Sequence, residues 1–493
     1  MEFILSSIFT DGMVLQRERP VRIFGNANDG ETITVQIENE KRSSKAKNGY
    51  WEVEFPPLSV SKNYEIFASN GSTEYKISDI LCGEVFLAGG QSNMEMHFCN
   101  VNNSEEVLNG IELDNVRLFT VGKKPFDLNG VANELIMSSY EYQGPWQKCN
   151  EENVKFFSAV GYYFARTLRK SIDVPIGIIS CNWGGTSISN WISEEELEGI
   201  PFYGDKLNEY REIIKNQNKE EYDQQFLKYI QDMKTLLSKI DENGNIPEGE
   251  GWPISPMGEK SYVRPSGLYN TMLKGVLRFP FRGFLWYQGE SDACYGNAGE
   301  YKKALETLIS MLRKTNENPN MLLANVQLPP FGCDAKVIEW SVIREAQLEI
   351  SKEDKNSIMV TTGDCGDIDI HPKKKEPIGT RLALGILSHL FCGKDEYSGP
   401  IIKNATLKNN EIELTFSHCD SGLKVIGDLG LFEVGNENNE FFEAKAQVLN
   451  NKVILKCNEV NKPQFVRYGW DIYYQIGLYN NENLPASPFL ISI

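Results

Sequence analysis

Five short apolar runs constrain this chain more than anything else in it: Val85–Ala88, Ile176–Ile179, Phe284–Tyr287, Leu322–Val326 and Ile358–Thr361. None alternates cleanly between apolar and polar residues. Each therefore predicts a strand covered on both faces, as the strands of parallel sheets are. Helical patterns lie between them, so the expected core is a parallel α/β sheet. One such helix is expected over roughly 377–391. Pro377 suits its first turn, Ile378, Leu382, Ile386 and Leu390 recur every fourth residue, and Gly393 follows its end.

The two ends of the chain read differently. Up to about residue 80, apolar residues alternate in short runs: Val21 and Ile23; Ile33, Val35 and Ile37; Trp51, Val53 and Phe55; Tyr64, Ile66 and Ala68. Turn clusters such as Asn28-Asp29-Gly30 and Asn70-Gly71 separate them, which predicts a small all-β domain over 1–80. Alternation returns from about 396 at Ile412, Leu414 and Phe416, at Val453 and Leu455, and at Ile472, Tyr474, Ile476 and Leu478. A β-sandwich-like domain is expected over 396–493. That leaves 81–395 for the α/β domain, with a helical insertion at about 200–260. Within the insertion, Phe226, Ile230, Met233, Leu237 and Ile240 predict one long amphipathic helix over 203–240. Asp241–Gly258 is rich in Gly and Pro and long enough to rim a site.

Composition excludes some roles. The 493 residues, 41% hydrophobic and 24% charged, suit several globular domains. No stretch approaches the ~18 apolar residues of a membrane span. A net charge of −18 disfavours nucleic acid and anionic membranes as partners. It leaves a small neutral ligand open. The ten cysteines form no CxxC pair and read as small buried hydrophobes in a reducing compartment. There is no His-rich ligand cluster, so neither a metal nor a cofactor is expected. The opening Met1–Leu5 lacks a basic, secretory-type start. The expectation is a cytoplasmic protein, although a trimmed secreted chain would read the same. Nothing indicates an oligomeric state.

The chemistry is expected where the strands end, because open α/β sheets bind ligands at their carboxyl edge. Gly89-Gly90-Gln91-Ser92-Asn93-Met94 follows Val85–Ala88. Its glycines permit a sharp turn, and Ser92 then stands at a helix start whose N–H groups favour a developing oxyanion. The alternative is that Ser92 merely caps the helix. Asn182-Trp183-Gly184-Gly185-Thr186 offers backbone N–H groups without Cβ obstruction, or is an ordinary tight turn. In Trp286-Tyr287-Gln288-Gly289-Glu290-Ser291, Gln288 can donate an amide N–H, whereas an ionised Glu290 cannot and would orient neighbours or bind substrate hydroxyls. Asp364–Pro372 carries His371 among carboxylates. Of the four histidines, His389 lies in a helix, His418 in the C-terminal β region, and His97 too near Ser92 along one segment. His371 is the best general base, with helix capping as its bland alternative.

Together these strings resemble the SGNH (GDSL) hydrolase superfamily, and more closely its sialate O-acetylesterase family of carbohydrate acetylesterases. The segments are GEVFLAGGQSNM (83–94), CNWGGTSISNW (181–191), WYQGES (286–291) and DIHP (369–372), with flanking DGMVLQRERPVRIFG (11–25), PSGLYN (265–270) and LPASPF (484–489). The resemblance covers nearly the whole chain. It implies a flavodoxin-like, three-layer parallel-sheet domain between two β domains. It also implies a serine esterase that removes O-acetyl groups through an acetyl-enzyme, without metal or cofactor. The substrate would be an acetylated mono-, oligo- or polysaccharide.

Carried over by residue, Ser92 is the nucleophile and His371 the base. Gln91 stands where the superfamily usually has Asp. The oxyanion donors are Ser92, Gly185 (less surely Gly184) and Gln288, which replaces the usual Asn. Gln91, Asn93, Trp183, Gly184 and Glu290 fall in substrate-binding positions. The superfamily often spaces Asp three before His, but that residue is Ile368 here. Asp369 fits the family's Asp-x-His-Pro string, and Asp367 and Asp364 remain alternatives. Two competing functions are deacetylation of plant polysaccharide such as xylan, and non-catalytic sugar binding by aromatics such as Trp183, Trp191 and Trp252.

Overall fold

The computed structural model describes residues 2–60, 63–127, 144–240, 246–247, 249–294, 296–333 and 339–493. The chain divides into two compact units. The first comprises Met1–Ala165, Ile172–Phe284 and Lys303–Met321; the second comprises Arg166–Ser171, Leu285–Lys302 and Leu322–Ile493.

The first unit is organised around one 17-residue strand, Glu74–Gly90. Its first half pairs antiparallel with Tyr64–Ser69, from Ser69 opposite Glu74 to Tyr64 opposite Ile80. Its second half runs parallel to Ile176–Asn182, from Glu84 beside Ile176 to Gly90 beside Asn182. Burial follows the change of partner. Of residues 74–79 only Ile77 is buried, whereas every residue from 80 to 90 is buried. The strand thus runs unbroken through the point at which the sequence changes style. Glu112–Thr120 lies parallel on the far side of Ile176–Asn182, and Gln147–Asn150 is antiparallel to it. Phe86 meets Phe164 of helix Ala159–Ser171 edge-on, with centroids 4.9 Å apart. Glu84, fully buried, is matched by Arg17 at 2.6 Å, Arg282 at 2.8 Å and Gln16 at 2.9 Å. A buried carboxylate is tolerated only with partners of this quality.

The predicted long helix over 203–240 is two helices, Pro201–Asn216 and Lys219–Leu237. The break falls at Asn218, whose side chain accepts the N–H groups of Glu220 and Glu221 as an N-cap. Phe226, Tyr229 and Ile230 form a small core that Phe126, Met233 and Tyr262 join. Of the predicted rim loop, 241–245 and 248 lie outside the described residues.

In the second unit, Leu322–Val326 and Ser357–Val360 are parallel, and Leu322–Val326 also neighbours Gly283–Tyr287. Helix Trp340–Glu353 and helix Glu376–Leu390 pack on Ser357–Val360; the second was expected one residue later. The chain then builds two four-stranded antiparallel sheets and a two-stranded ribbon. Phe432, Tyr468 and Phe489 sit in the core of this region, which also takes in Leu348 of helix Trp340–Glu353. Arg344 fastens the same helix to the last strands. Buried, it donates to the carbonyls of Leu328, Pro329, Asp471 and Ile472 at 2.5–3.1 Å.

Candidate active site

Ser92 and its surroundings lie in the first unit. Strand Glu74–Gly90 ends in Gly90 at φ +145°, a conformation that glycine alone adopts readily. The chain reverses there into the short helix Ser92–Glu95. Gln91 occupies the N-cap position and Ser92 is the first helical residue, so Ser92 does not serve as the cap. Its N–H belongs to the first turn, where no acceptor exists within the helix. Ser92 is half-buried between the buried Gln91 and Asn93.

The second motif packs against the first. Trp183 N–H donates to the Gly90 carbonyl at 3.2 Å. A Cβ on Gly184 would lie 3.2 Å from the Ser92 Cβ, so a larger residue there would have to push the Ser92 side chain back by a few tenths of an ångström. Thr186 Oγ1 closes the turn on the Trp183 carbonyl at 2.7 Å and accepts from Trp191 Nε1 at 3.1 Å. Gly185 is exposed, at φ +73°. The alternatives Gly184 and Gly185 separate here. Gly184 N–H donates to Glu95 Oε2 at 2.7 Å, while Gly185 N–H has no acceptor among the described residues. Glu95 also pairs with Lys123 at 2.5 Å, and the Lys123 ammonium lies 5.6 Å from the Trp183 ring centroid. The Trp183 ring stacks on Tyr262 at 5.0 Å and 12°. Sequence reasoning gave no role to Glu95, Lys123 or Tyr262. Only Glu95 left a signal, since three residues after Ser92 on a helix is the same face.

The second unit carries the other two motifs. Gln288 follows strand Gly283–Tyr287 and is fully buried. Its Nε2 donates to Asp292 Oδ2 at 2.5 Å, and Asn297 holds the other Asp292 oxygen at 2.7 Å. Its carbonyl accepts from Tyr301 at 2.9 Å and Gln347 at 3.1 Å. Gln288 is therefore fixed in orientation, and a primary amide carries two N–H donors. Glu290, also buried, opens helix Glu290–Cys294. Lys375 is buried nearby, its ammonium 5.1 Å from the Tyr287 ring centroid. Burial pushes the Lys375 amine down to about 7, against the opposing pull of Glu290, Cys365 and Asp369. It belongs to the run Lys373-Lys374-Lys375, in which the sequence cannot mark the buried member.

His371 sits on an irregular loop, with 39% of its side chain exposed. Of the three carboxylates considered for it, Asp364 is bound on both oxygens by Arg381, each at 2.7 Å. Burial raises this carboxyl, but the Arg381 hydrogen bonds and charge outweigh it and hold it below the usual range. Asp367 accepts from its neighbour's N–H at Ile368, 2.7 Å away. Asp369 Oδ1 accepts the His371 backbone N–H at 2.9 Å and lies 3.7 Å from Nδ1. That last separation is too long for a hydrogen bond. Among the other histidines, His418 Nδ1 is 2.7 Å from Glu396.

Comparison with known proteins places the chain in a family. A family model described as "Carbohydrate esterase, sialic acid-specific acetylesterase" matches residues 82–228 and 255–386, more than half of the chain. Among similar proteins, the sialate O-acetylesterase of Mus musculus is 26% identical, over 100% of this chain and 94% of that protein. That of Homo sapiens is 24% identical, over 100% and 93%. Among solved structures, a carbohydrate acetylesterase from Xanthomonas citri is 27% identical, covers 99% of both chains and superimposes with a TM-score of 0.76. The chain belongs to the sialic acid-specific acetylesterase family of carbohydrate esterases.

Proposed function

We propose that Ser92 and His371 are the nucleophile and general base with which this esterase removes O-acetyl groups from carbohydrates. The observation that supports this most is the packing of the Gly184 backbone against Ser92, in a turn tied to the preceding strand end by the Trp183 N–H on the Gly90 carbonyl. In this reading, His371 takes the Ser92 proton as Oγ attacks the acetyl carbon. The oxyanion is held by the N–H groups of Ser92 and Gly185 and by the side-chain amide of Gln288. Collapse expels the sugar oxygen, which receives the proton from His371. Water, deprotonated by the same imidazole, then cleaves the acetyl-enzyme to acetate and free Ser92. Asp369 orients the ring and stabilises the imidazolium. Trp183 and Glu290 contact the sugar, flanked by Gln91, Asn93 and Gly184. Catalysis belongs to 81–395, with β domains at 1–80 and 396–493, and proceeds without metal, nucleic acid or membrane. No described helix is long and apolar enough to cross a membrane.

Acetate release from a panel of O-acetylated sugars tests this reading. O-acetylated sialic acid is expected to be turned over faster than acetylated xylan. The reverse order would assign the enzyme to plant polysaccharide, and binding without acetate release from any member would make it a sugar-binding protein.

A further inference from the structure

The carboxylate of Glu95 joins two motifs that lie far apart in sequence. It sits on the same short helix as Ser92, and its Oε2 accepts the N–H of Gly184 at 2.7 Å. Gly184 is the residue whose backbone packs against Ser92. With the Trp183 N–H on Gly90 and the Trp183 carbonyl on Thr186, the Glu95 bond completes the fixation of the peptides leading to Gly185. A charge-assisted bond to a carboxylate is about twice as strong as a neutral one, so it suits this task. A bare carboxylate here would, however, oppose negative charge developing on the substrate. Lys123 removes that objection. Its ammonium pairs with Oε1 at 2.5 Å, and both side chains are less than a quarter exposed.

We propose that Glu95, neutralised by Lys123, is a positioning residue. From the nucleophile's own helix it fixes the Gly184 peptide, and thereby aims the Gly185 N–H at the acyl oxygen. The proposal rests on Ser92 being the nucleophile. In this role Glu95 acts through the Gly184 peptide, so its effect is confined to the geometry of the donor and the field around it.

The test is steady-state hydrolysis of an aryl acetate by Glu95→Ala, Glu95→Gln and Lys123→Met, with thermal melting of each. Glu95→Ala is expected to lower kcat about 10²-fold, the scale of one lost oxyanion donor, with KM within about threefold. Glu95→Gln keeps an oxygen that accepts the Gly184 N–H and is expected to recover most of that kcat. Lys123→Met leaves the carboxylate charge uncompensated and is expected to lower kcat about tenfold. Unchanged kcat in Glu95→Ala, no recovery in Glu95→Gln, or a loss carried by KM would each overturn the positioning role. Should Glu95→Ala not fold, the Lys123→Met kcat decides: a loss supports the proposal and wild-type turnover overturns it. Ser92→Ala is run beside them. If it is inactive while Glu95→Ala is not impaired, only the positioning role fails; if it is active, the nucleophile assignment fails first.

Discussion

The surroundings of Ser92 and those of His371 are built to different standards. Around Ser92, a strand end, a short helix and a glycine turn are bonded to one another through Gly90, Glu95, Thr186 and Trp191. Around His371, the side chains of Asp369 and His371 are 59% and 39% exposed, and neighbouring Ile368 is 77% exposed. The loop is anchored at points away from the imidazole: by Arg381 on Asp364, and by Pro330 and Gly332, whose backbones bond Asp367 at 3.2 and 2.9 Å. The proposed catalytic roles of the two residues would account for the difference. An oxyanion donor works only over a narrow range of distance and angle, and must already be in place as charge develops. An imidazole that shuttles a proton between Ser92, a leaving sugar and water needs reach as well as position.

The contrast can be broken at several points. His371→Ala is expected to have the largest effect, about 10⁴-fold or more in kcat for an aryl acetate, because base and nucleophile act as a unit. Activity within tenfold of wild type would remove His371 from the reaction. Gly185→Ala comes next. It forces a Cβ into φ +73°, and kcat should fall about 10²–10³-fold while KM changes little. Asp369→Asn should cost less than Gly185→Ala, because the carboxylate is exposed and lies 3.7 Å from the ring nitrogen. A larger loss in Asp369→Asn would mean that the surroundings of His371 are as tightly organised as those of Ser92.

The smallest effect on turnover is expected from Arg381→Met, which should show mainly in stability. The folded-state carboxyl of Asp364 is held below its unfolded value, so the pair stabilises the protein above pH ~4 and ceases to do so as pH falls through the folded value. The drop in melting temperature caused by Arg381→Met should accordingly be largest between pH 5 and 8 and shrink toward pH 3. A drop independent of pH would mean that the guanidinium acts through packing alone.

Much of the sheet was legible because burial on both faces leaves a strand no choice of composition. Leu322–Val326 matches its expected bounds, and Val85–Ala88 and Ile176–Ile179 fall inside longer strands. Glu112–Thr120 and Gln147–Asn150 escaped notice. They are exposed over much of their length and carry charged and amide side chains that no burial pattern selects. The helix break at Asn218 was hidden because the charged pattern continues across it. At the candidate site, the turns at Gly90 and Gly185 could be read because a positive φ favours glycine. Glu95, Lys123 and Lys375 could not, since an acidic or basic residue looks the same in sequence whether it meets water or a buried partner.

The most direct test of the account is to map the residue modified by a fluorophosphonate. Ser92 and His371 belong to different compact units of the chain, so their cooperation is the claim that most needs measurement. Mass spectrometry should find one adduct, on Ser92, formed in step with loss of esterase activity and slowed at least a hundredfold in folded His371→Ala. Inactivation with the adduct on another residue, or labelling of Ser92 at the wild-type rate in His371→Ala, would contradict it.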